Sequence, residues 1–118
     1  MSKNSSSSIQ KHRNQAFILQ YGLCFYCHQP MWISENTSFI SKYRLKPRKA
    51  NLLQCTAEHL KARQDGGSNS AKNIVAACKF CNNTRHKSKN ALDPELYGKH
   101  VRKRLLNNNW HQIIINPI

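Results

Sequence analysis

Acidic residues are scarce in this chain: five Asp and Glu stand against nineteen Lys and Arg in 118 residues, a formal net charge of +14. Such an excess repels itself in the free protein and points to a polyanionic partner, with DNA or RNA the first candidate. An anionic membrane surface is the competing partner, because polybasic segments also bind acidic lipid. Long apolar runs are missing too: no stretch reaches the roughly 20 residues a spanning helix needs. Nothing resembles an amphipathic lipid anchor, and there is no signal-peptide apolar region. The expected location is intracellular, cytoplasmic or nucleoid-associated. The length suits one domain rather than two. With modest apolar content (39%), the core is modest as well, and small domains of this kind often need a metal or another staple.

An even cysteine count at wide spacing, the mark of a secreted disulfide framework, is also absent. The five cysteines fall as Cys24-Phe25-Tyr26-Cys27, Cys78-Lys79-Phe80-Cys81 and a lone Cys55. A two-residue gap lets both sulfurs of a knuckle face one ion, and two such pairs supply the four ligands of a closed zinc tetrahedron. Cys24, Cys27, Cys78 and Cys81 are therefore the expected structural zinc ligands. A redox role for either pair is disfavoured, because no thioredoxin-like alternation of strands and helices surrounds it. Cys55 reads as a small buried residue in a strand.

Residues 1–8 include Ser5-Ser6-Ser7-Ser8 and almost nothing apolar, which predicts a disordered tail ahead of a single domain over 9–118. Ile9, Ala16, Phe17, Leu19 and Tyr21 outline one helical face that Gly22 ends. Residues 29–51 read as a long basic loop with one short strand near Phe39-Ile40. Residues 52–60 and 73–77 read as strands, with the turn cluster Asp65-Gly66-Gly67-Ser68 between them. A turn into a helix follows over 78–89, completing a motif core of 24–89. Asp93 caps and Pro94 opens a last helix towards Leu106, and the apolar end around Ile113-Ile114-Ile115 makes a strand or extended arm within 93–118. No internal repeat is present.

Within this frame, Glu58-His59-Leu60, Gly66-Gly67, Asn73-Ile74 and Cys78-x-x-Cys81-Asn82 resemble, in order and interval, the HNH endonucleases with a four-cysteine zinc site. The resemblance spans Cys24 to His86 and is tightest from Glu58 onward. It implies an α+β fold, a small zinc-stapled ββα-metal (His-Me finger) core with flanking helices. It also implies metal-dependent hydrolysis of DNA, taken as double-stranded. His59 is then the general base, a task that suits imidazole because its pKa lies near working pH. Glu58 falls at a metal-ligand position, and Asn73 at the central asparagine that braces the loop after Leu60 and so orients His59. Asn82 falls at the third motif position, a metal ligand. His86, four residues on and on the same helical face, is a further ligand. Adjacent strand residues point to opposite faces, so the strand must end or bend near Glu58 for both it and His59 to reach one phosphate.

The pattern departs from the family's name, with Glu at the first position and Asn at the third. The oxygen-rich set of Glu58 and Asn82 favours Mg²⁺ or Mn²⁺, and His86 widens tolerance towards Ni²⁺ or Zn²⁺. Arg85 and Lys87 beside His86, together with Lys99, Arg102, Lys103 and Arg104 on the last helix, are candidate phosphate contacts that position a duplex without reading its sequence. His12, His28, His100 and His111 stay unassigned. A zinc-stabilised nucleic-acid-binding module without catalysis is the alternative. A RING-type interaction domain is weaker, since it needs more Cys and His ligands than the chain can spare. The Ile-rich end is open to two uses, core packing or contact with a second copy in a homodimer.

Overall fold

The computed structural model describes residues 2–118, with side chains from Ser8 on. The first helix, α1 (Ser2–Leu19), begins inside the serine-rich stretch read as a disordered tail; Met1 lies outside the described residues. Ala16 is buried and Phe17 packs on the core, but Leu19 and Tyr21, placed on the same face by periodicity, stand 79% and 90% exposed. Gln20 faces inward instead. Its amide accepts from the Ala76 N–H (3.0 Å) and donates to the Ala76 carbonyl (2.8 Å), closing the free edge of the second strand. The helix ends in a Schellman arrangement. Gly22 N–H donates to Phe17 O and Tyr21 N–H to Ile18 O, with both Tyr21 (φ 56°) and Gly22 (φ 74°) left-handed.

The central pair is β1 (Cys55–His59) and β2 (Ile74–Cys78), antiparallel, with Cys55 opposite Cys78 and His59 opposite Ile74. The helix α4 (Lys79–Arg85) starts directly after β2, giving the ββα order of the expected core. It lies over the Thr56 and Glu58 side of β1, to which Asn82, Arg85 and His86 all bond.

The basic loop of the sequence reading is partly helical. In place of a strand at Phe39-Ile40 there is α2 (Thr37–Tyr43), and α3 (Pro47–Asn51) follows. A two-residue apolar run carries no period to separate strand from helix. Two local features set these helices. Arg44 takes a left-handed conformation (φ 52°) that ends α2, and Pro47 sits in the first turn of α3, where its missing N–H has no partner to lose.

The last helix, α5 (Pro94–Leu106), is capped as its sequence predicts: the Asp93 carboxylate accepts from the Leu96 N–H at 3.0 Å. Tyr97, Val101 and Leu105, spaced four apart, are its buried stripe. Residues 107–118 form no regular element and return across the core as an extended arm. Ile113 is buried, whereas Ile114 is 52% exposed. Buried Gln29 anchors the arm by accepting from the Ile115 and Asn116 N–H groups (2.6 and 2.9 Å) and donating to Asn116 O (2.8 Å). Among the described residues, no helix is long and apolar enough to cross a membrane.

Candidate functional site

Two centres adjoin the ββα unit. The first is the cysteine cluster. Cys24 and Cys27 lie in the turn after α1, Cys78 closes β2 and Cys81 is in the first turn of α4. All four are buried, and their sulfurs lie within 4.8 Å of one another. Zn–S bonds of about 2.3 Å place tetrahedral sulfurs about 3.8 Å apart; Cys27 and Cys78 stand at 3.9 Å. The donor set therefore fits zinc. Burial opposes a thiolate at Cys24, but bonds from Cys27, Cys78 and Cys81 bring that thiol well below its usual range. Burial, and then the neighbouring Cys24, push Cys78 and Cys81 well above theirs. Four thiolates in one small space need a cation among them. Cys55 stays apart in β1, its thiol pushed up to about 12 by burial.

The second centre lies at the end of β1. A cleft of about 420 Å³ is lined by Glu58, His59, Arg63, Gln64, Asn82 and His86, among others. β1 stops at His59, so the strand alternation ends there and both neighbours reach the same hollow. The His59 Nε2–H donates to Asn69 Oδ1 at 2.8 Å. In the neutral ring this leaves Nδ1 bare and able to accept a proton. Asn69 is held in turn by α1, since His12 Nδ1–H donates to its backbone carbonyl at 2.9 Å.

Asn73 ties down the loop after Leu60. Its Oδ1 accepts from the Lys61 N–H (2.8 Å), while its Nδ2 donates to Lys61 O (2.9 Å) and Ser68 O (2.8 Å). The two glycines let the loop close. Gly66 is left-handed (φ 89°), and a Cβ on Gly67 would sit 1.8 Å from the Lys61 carbonyl oxygen.

Glu58 has no accessible surface. Its Oε2 accepts from Tyr26 OH (2.7 Å) and from the Arg85 guanidinium (2.9 Å), while Oε1 accepts from His86 Nε2–H at 2.7 Å. Asn82 donates through Nδ2 to Thr56 Oγ1 and Ala57 O. A carbonyl oxygen can only accept, so the amide nitrogen is fixed there and Oδ1 is turned away from the strand. Glu58, His86 and Asn82 are the residues at this cleft that could hold a divalent cation, and His86 Nε2 would first have to lose the proton it now donates to Glu58.

Arg85, expected to contact phosphate, is 7% exposed. Its guanidinium is engaged by Glu58 and by the carbonyls of Leu60 and Leu92, and it lies 5.9 Å from the centroids of both the Tyr26 and Tyr97 rings. No face is left for a phosphate. Arg102 is also partly engaged, donating to Tyr26 O at 2.8 Å. Lys87, Lys99 and Lys103 are exposed, and Arg104 is half-buried with its guanidinium 6.0 Å from the Trp110 ring.

The sequence reading missed several residues that shape the two centres. Tyr26 reaches Glu58 from between two cysteines. Asn69 holds the imidazole. Arg63, exposed and four residues past His59, lines the cleft. Trp110 and His111 reach the cysteine cluster: Trp110 Nε1–H donates to Cys81 Sγ at 3.3 Å, and His111 Nε2–H to Cys27 Sγ at 3.4 Å. Burial holds the His111 imidazole neutral, its pKa pushed down to about 4. Only Arg63 left a sequence signal, its charge in a loop next to the motif.

A search of curated proteins found no match, and a search of solved structures found none either. Residues 45–88 match the model of the family described as HNH endonuclease. That segment holds β1, β2 and α4, with Glu58, His59, Asn73 and Asn82. Residues 45–88 of this small α+β chain are thus similar to the HNH endonuclease domain, and its four clustered cysteines fit a zinc-binding type.

Proposed function

We propose that the chain is a metal-dependent endonuclease that hydrolyses phosphodiester bonds of DNA, taken as double-stranded. The observation that carries this reading is the convergence of His59 with Glu58, His86 and Asn82 on one cleft. His59 is the general base. Its Nδ1 takes the proton of a water whose oxygen bonds to phosphorus as the bond to the leaving 3′ oxygen breaks. Asn69 fixes the ring from the opposite nitrogen, and Asn73 keeps the loop carrying Asn69 in place. Glu58, Asn82 and His86 would hold Mg²⁺ or Mn²⁺, which when bound supplies Lewis-acid stabilisation of charge on the scissile phosphate. Arg63 and Lys87, exposed at and beside the cleft, are placed to contact flanking phosphates. Lys103 extends the basic surface on α5. Thiolate ligation of zinc suits a reducing intracellular compartment. One site per chain nicks a single strand, and cutting both strands takes two copies.

Plasmid nicking with added Mg²⁺ or Mn²⁺ tests this, on zinc-loaded protein freed of loosely bound metal. The expected result is cutting that depends on the added cation and is abolished in His59→Ala, with zinc content and DNA retention kept. Persistent cutting by His59→Ala would refute the base assignment.

A second reading, a zinc-stabilised nucleic-acid-binding module without catalysis, is favoured by one observation. Glu58 is wholly buried and both its oxygens already have protein partners. Under that reading the zinc-loaded protein retains DNA and cuts neither duplex nor single strand with any divalent cation.

A further inference from the structure

The cysteine cluster is surrounded by N–H donors, and their origin divides unevenly along the chain. Cys24 Sγ accepts from the backbone N–H groups of Cys78 (3.2 Å) and Tyr26 (3.4 Å), and Cys78 Sγ from that of Cys81 (3.4 Å). The Tyr26 and Cys81 bonds are local to the two knuckle turns, and the Cys78 bond links one knuckle to the other across 54 residues. Cys27 and Cys81 receive side-chain donors instead, and both come from consecutive residues of the C-terminal arm: His111 Nε2–H and Trp110 Nε1–H.

The geometry of the arm makes both donors specific. Ile113 N–H donates to His111 Nδ1 at 3.1 Å. That nitrogen is therefore bare and the proton resides on Nε2, facing sulfur. His111 is 2% exposed. Trp110 and His111 both pack edge-on against Phe80, which lies between Cys78 and Cys81 (ring centroids 5.0 and 5.6 Å). Lys49 Nζ donates to His111 O at 3.1 Å, and Gln29 fixes the chain at residues 115 and 116. Indole nitrogen can only donate, so its position opposite a sulfur suits a thiolate better than a thiol. Four thiolates on one Zn²⁺ leave two net negative charges in a site with almost no accessible surface. Charge-assisted N–H bonds offset that cost.

We propose that Trp110 and His111 are the donors that retain zinc, so that the C-terminal arm sets how tightly and how long the four-cysteine site holds its metal. The inference rests on the zinc reading of the cysteines and is independent of the cleavage chemistry. Donors outside the ligand set commonly change metal affinity by about 10–100-fold.

The test uses the full chain loaded with zinc, and in parallel with Co²⁺, comparing the parent with Trp110→Phe, His111→Leu and His111→Gln. Trp110→Phe keeps an aromatic ring against Phe80 and removes only the indole N–H. Glutamine restores an N–H at the position of histidine Nε2. Zinc transfer to a chromogenic chelator gives affinity and release rate, and the cobalt protein gives the thiolate-to-metal charge-transfer bands. Trp110→Phe and His111→Leu are each expected to weaken zinc binding about 10–100-fold, with faster release. Their charge-transfer bands should move to longer wavelength, because an unbonded thiolate gives up its electron more easily. His111→Gln should stay close to the parent in both readouts. Affinity within about twofold of the parent for both deletions would overturn the proposal. So would weaker binding with unshifted bands, which marks packing rather than donation. If His111→Leu does not fold, Trp110→Phe decides alone. A parent chain that takes up neither zinc nor cobalt refutes the inference at the first step.

Discussion

Replacing Arg85 by alanine separates its sequence-based role from its structural one. As an exposed phosphate clamp, Arg85 would contribute to DNA retention and almost nothing to stability, because surface substitutions stay within about 0.5 kcal/mol. As found, it is 7% exposed and pairs at 2.9 Å with a carboxylate that has no accessible surface. Removing one partner of such a pair strands the other charge, at a cost of about 3–5 kcal/mol. The Leu60 and Leu92 carbonyls lose their guanidinium partner as well. The tyrosine and histidine contacts to Glu58 survive, which keeps the loss towards the lower end. A domain of this size has total stability on the order of 6–18 kcal/mol, so the variant folds with a melting temperature lowered by about 10–20 °C. Urea denaturation at saturating zinc gives the free energy directly. Glu58→Gln and the double variant complete a cycle in which the two losses should be far from additive. A loss under about 0.5 kcal/mol for Arg85→Ala, with DNA retention sharply reduced, would refute the buried-strut assignment and restore the clamp.

Cys78→Ser should release zinc and unfold the domain, read by metal content and circular dichroism; a folded, metal-free variant would undo the staple argument. Asn73→Ala removes three bonds from the loop after Leu60 and should cut nicking at least tenfold while zinc content is unchanged. Gly67→Ala meets the Lys61 carbonyl and should lose the same activity with stability down by a few kcal/mol, on the order of other backbone-strain substitutions; parent-like nicking would count against the loop's role. Asp93→Ala removes the cap of α5 and should cost about 1 kcal/mol in urea denaturation, with no effect on cleavage.

What could be read from the sequence follows the range of the forces involved. The strands around Cys55 and Ile74, the cap at Asp93 and the zinc spacing of the cysteine pairs are local patterns, and they were legible. The bonds of Asn73 to the loop after Leu60 were anticipated only through the family resemblance, which places a central asparagine at that position. Phe39-Ile40 was not legible, since two apolar residues carry no period and the helix there is set by its ends. The alternation of β1 did not announce that Glu58 would be sealed, because its partners Tyr26 and Arg85 lie 32 and 27 residues away. The same holds for His111, which meets Cys27 across 84 residues. A buried arginine or histidine looks, in one dimension, like any surface cation.

Tyr26 joins the two centres, its backbone N–H bonding Cys24 Sγ and its hydroxyl the Glu58 carboxylate at the cleft. During synthesis it emerges from the ribosome long before the second knuckle, and Glu58 appears before either Arg85 or His86. A nascent chain therefore holds the imidazole without the architecture that aims it. The cleft can close only when the later sulfurs arrive, so an unfinished polypeptide carries it unassembled.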